Sequence, residues 1–384
     1  MDFELNEDQK MIQETIRKFA KERIAPVAAE NDKKARFPMD LFRELAGLGF
    51  MGTPIPVEYG GAGFDYLSHA LVAEEIGRVD SSLRGTYSVQ VSLVELPLYH
   101  FGTEDQKKKY LPKLAAGEWI GCFGLTEPGA GSDPVGMTAT AKEEGGHYIL
   151  NGQKTWITNA GIADLAIVYA KTQPDAGAQG ITAFLVERGT EGYSTRDIHD
   201  KLGLRASNTG EIFLENCRVP KENILGEKNK GFKVALNTLD FGRFTVAAGC
   251  VGLAQGCIDA SKDYARARVQ FGKPIASFQL VQQMIADMVV DCEAGRLLVY
   301  RVGDMKNKGL PNTRETSIAK YFCGEMVNRV AYKAIQVHGG YGFSGEYNVE
   351  RFYRDARINT LYEGTSQIQQ LIIGSYELGI RAFV

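Results

Sequence analysis

The sequence predicts an α+β protein of three parts: an N-terminal helical domain, a middle antiparallel β-barrel or sandwich domain, and a C-terminal four-helix bundle. Three observations carry that expectation. Apolar residues recur at helical spacing up to about residue 118. Between about 119 and 226 the period falls to two, in short runs divided by turn residues. From Asn229 onward the helical period returns in long segments. The expected domains are therefore 1–118, 119–226 and 227–384.

Bulk properties narrow the class. A chain of 384 residues, 44 % apolar and 24 % charged, has the composition of a soluble globular protein with two or three cores. Its net charge of −3, with no Lys/Arg block interleaved with aromatics, speaks against a nucleic-acid surface. No apolar run approaches the ~20 residues needed to span a membrane. The start, Met1-Asp-Phe-Glu-Leu, is acidic and resembles neither a signal nor a transit peptide. Six dispersed cysteines without a CxxC pair read as thiols in a reducing compartment, so a cytoplasmic location is expected.

In the first part, Asn6 and Gln9 read as a cap pair ahead of Met11, Ile12, Ile16, Phe19 and Ile24. Further helices are expected at 39–48, stopped by Gly49, at 67–77, and from 82 toward 99. Thr103 and Gln106 form a capping box for one more helix that ends by Gly117. In the middle part, 147–158 reads as two strands joined by Asn151-Gly152, the strongest short hairpin signal. Strands are also expected at 163–172, 181–187 and 211–219. The third part predicts long helices at 232–267, 278–308, 313–337 and 365–378.

A helical bundle invites a di-iron site made of Glu-x-x-His pairs. The only match here, Glu144-Gly-Gly-His147, lies in a Gly-rich hairpin, so no metal is expected. No G-x-G-x-x-G follows a strand, and a nucleotide would have to bind in another way. The stretch from Phe123 to Asp133 offers one, with three glycines and the hydroxyls of Thr126 and Ser132. On the next strand, Trp156 can cover a flat ring while Thr158 bonds its edge; the structural alternative is a core tryptophan. Near the C-terminus, Glu363 follows Leu361-Tyr362 and precedes Gly364, and Thr365 and Ser366 can cap the helix behind it. Alone, that carboxylate reads as an ordinary acid at a helix start.

Together these stretches resemble the acyl-CoA dehydrogenase family over essentially the whole chain. The motifs that carry the resemblance are Gly124-Leu-Thr-Glu-Pro-Gly-Ala-Gly-Ser-Asp133, Lys154-Thr-Trp-Ile-Thr-Asn159, Arg268-Val-Gln-Phe-Gly272, Gln336-Val-His-Gly-Gly340 and Tyr362-Glu-Gly-Thr365. The resemblance implies FAD bound non-covalently in an extended form. Phe123, Leu125, Thr126, Gly131, Ser132, Trp156 and Thr158 match positions that contact it within a subunit, as do Thr365 and Gln367. Arg268, Phe271, Gln336 and Gly340 match positions that reach the FAD of a neighbouring subunit, which implies a homotetramer built as a dimer of dimers. Glu363 matches the catalytic base, and Gly242 occupies the position where some members place the base instead. Arg243 matches a residue that helps to hold the CoA nucleotide; Tyr362, Gly364 and Ser132 belong with the acyl-CoA thioester. An electron-transferring flavoprotein is the implied acceptor.

The acyl end carries its own signal. Most members place small or apolar residues where this chain has Arg84, in Asp80-Ser-Ser-Leu-Arg84-Gly-Thr-Tyr-Ser88-Val-Gln90. The glutaryl-CoA dehydrogenase branch has Arg there with a similar Ser-Val-Gln run, and Cys122-Phe123 and Thr209-Gly210 also resemble it. A guanidinium suits a second substrate carboxylate, with Ser88 beside it; the structural alternative is an Arg84 that points to solvent or pairs with Asp80. The expected substrate is thus a short carboxylated acyl-CoA, glutaryl-CoA first, with a substituted succinyl-CoA or a plain butyryl-type substrate as alternatives. Decarboxylating members carry a Glu seven residues before the Arg; here that residue is Gly77.

Overall fold

The structure is a computed structural model describing residues 4–382; Met1–Phe3, part of the acidic start noted above, lie outside it. The N-terminal part is helical. Helix α1 (Glu7–Phe19) opens on the Asn6/Gln9 capping box and runs through a π-turn into α2 (Ala25–Lys34). Next come α3 (Met39–Gly47), α4 (Tyr66–Gly77), α5 (Ser81–Ser88), α6 (Leu96–Phe101) and α7 (Glu104–Ala115), the last opened by the Thr103/Gln106 capping box. The single helix expected from 82 toward 99 is instead α5 and α6 joined by a π-helical segment, Val89–Glu95. Asp80 starts it, accepting the amides of Ser82 and Leu83.

The middle part is a sheet of eight strands: β1 (Gly121–Gly124), β2 (Thr140–Glu144), β3 (His147–Thr158), β4 (Leu165–Lys171), β5 (Ile181–Glu187), β6 (Tyr193–Asp197), β7 (Thr209–Pro220) and β8 (Ile224–Leu225). Their order is β6-β7-β3-β2-β4-β5-β8 with β1 on β4. Most pairs are antiparallel, while β1 joins β4 in parallel. Alternation along β4 shows how the sheet is filled. Leu165, Ile167 and Tyr169 face a core shared with the helices, and Ala166, Val168 and Ala170 face a core between the strands themselves.

The Asn151-Gly152 hairpin does not form. Residues 147–158 are one strand, and Asn151-Gly152 marks a shift in its register against β7. Asn151 Oδ1 there accepts the Asn216 amide at 2.8 Å. A Cβ on Gly152 would lie 2.6 Å from that of Ala139, so the glycine serves close packing rather than a turn. The true hairpin turn is Gly145-Gly146, with φ of 52° and 87°, between β2 and β3.

The C-terminal part begins with α8 (Gly231–Ala267) and, after the short pair β9 (Val269–Gln270) and β10 (Lys273–Pro274), continues with α9 (Gln279–Asn307), α10 (Thr313–His338), α11 (Val349–Ala356) and α12 (Ser366–Leu378). Helices α8, α9, α10 and α12 make the bundle, and α4 packs along α8. One hydrophobic core runs through both helical parts, from Ile16 and Phe42 to Phe244, Met326 and Val330. By length and composition α8 is apolar enough to cross a bilayer, which the sequence reading did not expect, yet 89 % of its most apolar window is buried inside the protein. Glycines on α8 allow this closeness: a Cβ at Gly252 would meet the Glu74 carbonyl at 1.9 Å.

Candidate active site

Glu363 sits in the loop between α11 and α12, one residue before Gly364, and both have left-handed φ, 54° and 92°. Thr365 caps α12 by accepting the Ile368 amide at 3.3 Å. The Glu363 carboxylate points inward, and its Oε2 is buried with no hydrogen-bond partner among the described residues. Burial pushes its pKa up to about 7, against the opposing pull of Arg84, Lys320 and Arg243. Against it lies Gly242 of α8, where a Cβ would stand 2.0 Å from Oε2 and 2.6 Å from Leu93 of the π-helical segment. Gly242 is therefore the notch that makes room for the carboxylate. The Glu363 backbone N–H donates to no described group.

Arg84 is 1 % exposed. It forms no ion pair among the described residues, so neither structural alternative for it holds: Asp80 spends its carboxylate on the start of α5. Its Nη2 donates to the Tyr362 hydroxyl at 2.5 Å, and that hydroxyl donates to Asn359 Oδ1 at 2.7 Å. The Nε of Arg84 is buried without a partner, as is the Ser88 hydroxyl one turn further along α5. A second glycine of α8 makes room here, because a Cβ on Gly249 would lie 2.4 Å from Arg84 Nε. Gly77 packs on the same stretch, its own Cβ position 2.8 Å from the Gly249 carbonyl, so no larger side chain fits there without moving the helices apart.

The Gly-rich turn after β1 and the end of β3 come together. The Thr155 amide donates to the Thr126 carbonyl at 2.9 Å. Beneath them Lys154 and Glu127, 0 % and 3 % exposed, pair at 2.7 Å, and Glu127 also accepts the Thr138 and Ala139 amides. Trp156 is 63 % exposed with φ of 59°, so it is not the core tryptophan of the structural alternative. Thr158 is half-buried on the same strand, Phe123 packs edge-on to Tyr169, and Leu125 is buried behind the turn. Gly131 and Ser132 are exposed, and a Cβ on Gly129 or Gly131 would meet nothing within 4 Å. An open turn of free amides beside an exposed indole fits a flavin nucleotide.

Arg268, Phe271, Gln336 and Gly340 lie elsewhere. Arg268 and Gly340 line an open cavity of about 520 Å³ where α8 and α10 end, and neither Trp156 nor Glu363 borders it. Phe271 is 93 % exposed, and Gln336 and Gln367 are exposed. From Arg243 to its end α8 runs about 37 Å at ~1.5 Å per residue, so Arg268 cannot reach the Glu363 site of its own chain. Arg243 itself donates from Nε to the Glu363 carbonyl at 3.1 Å and pairs with Asp240.

The sequence reading missed four residues that the structure brings to these sites. Glu127 and Lys154 lie within the quoted motifs but went unassigned, although an acid and a lysine flanking one turn are a signal for pairing. Lys320 and Gln369, which hold the loop of Glu363, come from helices whose apolar pattern drew the attention.

A buried carboxylate near neutrality, an open nucleotide turn and a helical–β–helical order fit an oxidoreductase acting on CH–CH groups with FAD. The chain belongs to the acyl-CoA dehydrogenase family: its N-terminal, middle and C-terminal domain models match residues 6–118, 122–217 and 229–377. Among relatives, a probable acyl-CoA dehydrogenase, YngJ, of Bacillus subtilis is 47 % identical over 97 % of this chain and 98 % of its own. A glutaryl-CoA dehydrogenase of Desulfococcus multivorans is 45 % identical over 99 % of both chains. A caffeyl-CoA reductase–Etf complex subunit, CarC, of Acetobacterium woodii is 45 % identical over 96 % of this chain and 97 % of its own. Among solved structures, butyryl-CoA dehydrogenase from Megasphaera elsdenii matches with a TM-score of 0.97 and 42 % identity, covering 98 % of this chain and all of that one (100 %). A glutaryl-coenzyme A dehydrogenase–glutaryl-CoA complex matches with 0.96 and 44 %, covering 99 % and 98 %. A Mycobacterium smegmatis glutaryl-CoA dehydrogenase in complex with FADH2 matches with 0.94 and 36 %, covering 99 % and 97 %.

Proposed function

We propose that this acyl-CoA dehydrogenase acts on a short acyl-CoA carrying a second carboxylate, glutaryl-CoA first, with Glu363 as the base and Arg84 as the carboxylate anchor. The observation that carries the reading is Arg84: a buried guanidinium with, among the described residues, an unpartnered Nε and no ion pair, in a wall notched by Gly249 to hold it. Leaving such a charge unpaired is costly, and a substrate carboxylate supplies the missing acceptor.

Glu363 takes the α-proton onto its carboxylate, and burial has raised its basicity into the range a general base needs. Its free backbone N–H is placed to receive the thioester oxygen, where negative charge develops. Arg84 and the Ser88 hydroxyl orient the far carboxylate, and the Tyr362 hydroxyl holds Arg84 next to the loop of the base. FAD, when bound by the Thr126–Ser132 turn, Trp156, Thr158, Thr365 and Gln367, supplies the acceptor for the β-hydride. Arg268, Phe271, Gln336 and Gly340 serve the flavin of a second subunit in a homotetramer, and an electron-transferring flavoprotein takes the electrons. The length of α8 and the partner implied by the name of the CarC relative support these two readings.

The test is the ratio of glutaryl-CoA to butyryl-CoA turnover before and after Arg84→Met. Stranding one partner of a desolvated ion pair costs ~2–5 kcal/mol. At ~1.4 kcal/mol per tenfold, kcat/KM for glutaryl-CoA should fall about 30- to 4,000-fold. Butyryl-CoA turnover should hold or rise. An unchanged ratio would make Arg84 structural and the enzyme a plain short-chain dehydrogenase. Product analysis with glutaryl-CoA reads the fate of the second carboxylate: glutaconyl-CoA means simple dehydrogenation, crotonyl-CoA with carbon dioxide means its loss.

A further inference from the structure

The loop that carries Glu363 is gripped by side chains from three helices. The Glu363 carbonyl accepts from Arg243 Nε at 3.1 Å and from Gln369 Nε2 at 3.3 Å. The Gly364 carbonyl accepts from Lys320 Nζ at 2.6 Å and from Gln369 Nε2 at 3.2 Å. Lys320, on α10, is 1 % exposed, and this carbonyl is its acceptor among the described residues.

Two features say that the ammonium is not there to hold the carbonyl alone. Gln369, a neutral donor, already reaches the same oxygen, so hydrogen bonding does not require a buried charge. Gly364 also lies just before α12, at the positive end of that helix, where a cation is disfavoured. Something negative must offset both. Burial disfavours the charged ammonium, and of the groups that favour it the Cys250 thiol is itself held protonated by burial, which leaves the Glu363 carboxylate, ahead of Glu325, as the negative charge.

We propose that Lys320 is a positioning residue for the reaction: its ammonium fixes the left-handed Glu363–Gly364 turn through the Gly364 carbonyl and supplies positive charge beside the base. The inference rests on Glu363 being that base. The groups that face the carboxylate are Arg84 from α5, Arg243 from α8 and Lys320 from α10, with the Tyr362 hydroxyl adjacent and the Cys250 thiol of α8 near Lys320. Burial lowers Lys320 and raises Glu363, and each group pulls the other back toward its charged form.

The experiment follows flavin reduction by saturating acyl-CoA against pH in FAD-loaded Lys320→Gln and Lys320→Arg. Loss of a neighbouring opposite charge should move the acid-limb midpoint of Lys320→Gln upward by about one to three pH units. Lys320→Arg, which keeps charge and donor, should keep the wild-type midpoint. A rate reduced equally at every pH with the midpoint unmoved would overturn the proposal. Should Lys320→Gln fail to load FAD, Lys320→Met decides in its place, since an apolar side chain of similar volume is what buried ion sites tolerate. Glu363→Gln separates the two layers: reduction retained in that variant removes the base itself, whereas reduction lost there with an unmoved midpoint in Lys320→Gln removes only the role of the lysine.

Discussion

Glu363→Gln keeps the size of the side chain and removes its charge, and the site fixes both the loss and the gain. Burial moves the carboxyl from the ordinary 4.5 to about 7, with Arg84, Lys320 and Arg243 pulling the other way. A folded value above the unfolded one means that the folded protein holds the proton more tightly. Below the ordinary carboxylate range both states are protonated and the site carries no charge penalty. As pH rises from 4.5 through about 7 the folded state progressively loses that advantage, and above this window the cost stays constant. At ~1.4 kcal/mol per pKa unit, the move from 4.5 to about 7 is about 3 kcal/mol. Thermal melting of FAD-loaded wild type and variant between about pH 5 and about pH 9 should therefore show a Tm advantage for Glu363→Gln that grows with pH and then levels off. Flavin reduction by acyl-CoA, measured on the same samples, should drop ~10²–10⁴-fold. An advantage that does not grow with pH would refute the burial argument, and reduction within a few-fold of wild type would refute the assignment of the base.

Three further outcomes follow from the packing. Gly242→Ala puts a methyl group where Glu363 Oε2 now lies, and a displacement of this size should lower kcat about 100-fold while FAD absorbance is retained; full activity would show that the carboxylate rests elsewhere. Lys154→Met strands the buried Glu127 carboxylate beneath the turn of Thr126 to Ser132 and should cost about 3–5 kcal/mol, read by denaturant melting together with FAD loss on dialysis. Arg268→Ala should weaken FAD retention and the tetramer together, because ligand binding and assembly are linked; a monomer that keeps its FAD would contradict the cross-subunit reading.

Helix and strand types were legible because long periodic runs leave little choice: 313–337 reads as a helix and is one, Thr313–His338. Asn151-Gly152 misled for a physical reason. The dipeptide supplies left-handed freedom to a turn, but Gly152 is needed for its lack of a Cβ against Ala139, just before β2, a contact that no local pattern records. The π-helical segment Val89–Glu95 is similarly silent, since its residues, polar and apolar alike, are all buried and their pattern does not mark the extra residue in the turn. At the site, Glu363 stood out as a lone carboxylate after an apolar pair, and Arg84 through the family resemblance, as an arginine where most members place small or apolar residues. Lys320 did not, because a lysine on a helix is ordinarily solvated and only the folded α10 shows it buried. Gly242 could be named as a missing base through the resemblance, but that it is also the space beside the Glu363 carboxylate required coordinates.

The two notches of α8 have a consequence for the length of what is held between them. Gly242 makes room for Glu363 and Gly249 for Arg84, and both belong to one rigid helix, two turns apart. Seven residues at ~1.5 Å each separate them by about 10 Å. A hydrogen-bonded contact at either end takes ~3 Å, which leaves space for only a few carbons. On the carboxylated-substrate reading proposed above, the helix works as a gauge whose graduations are absent side chains, set between the carbon that loses its proton and the carboxylate at the tail. Turnover of succinyl-, glutaryl- and adipyl-CoA should then peak at one length and fall on both sides. Admitting a longer chain would take a glycine moved one turn along α8 rather than a wider pocket.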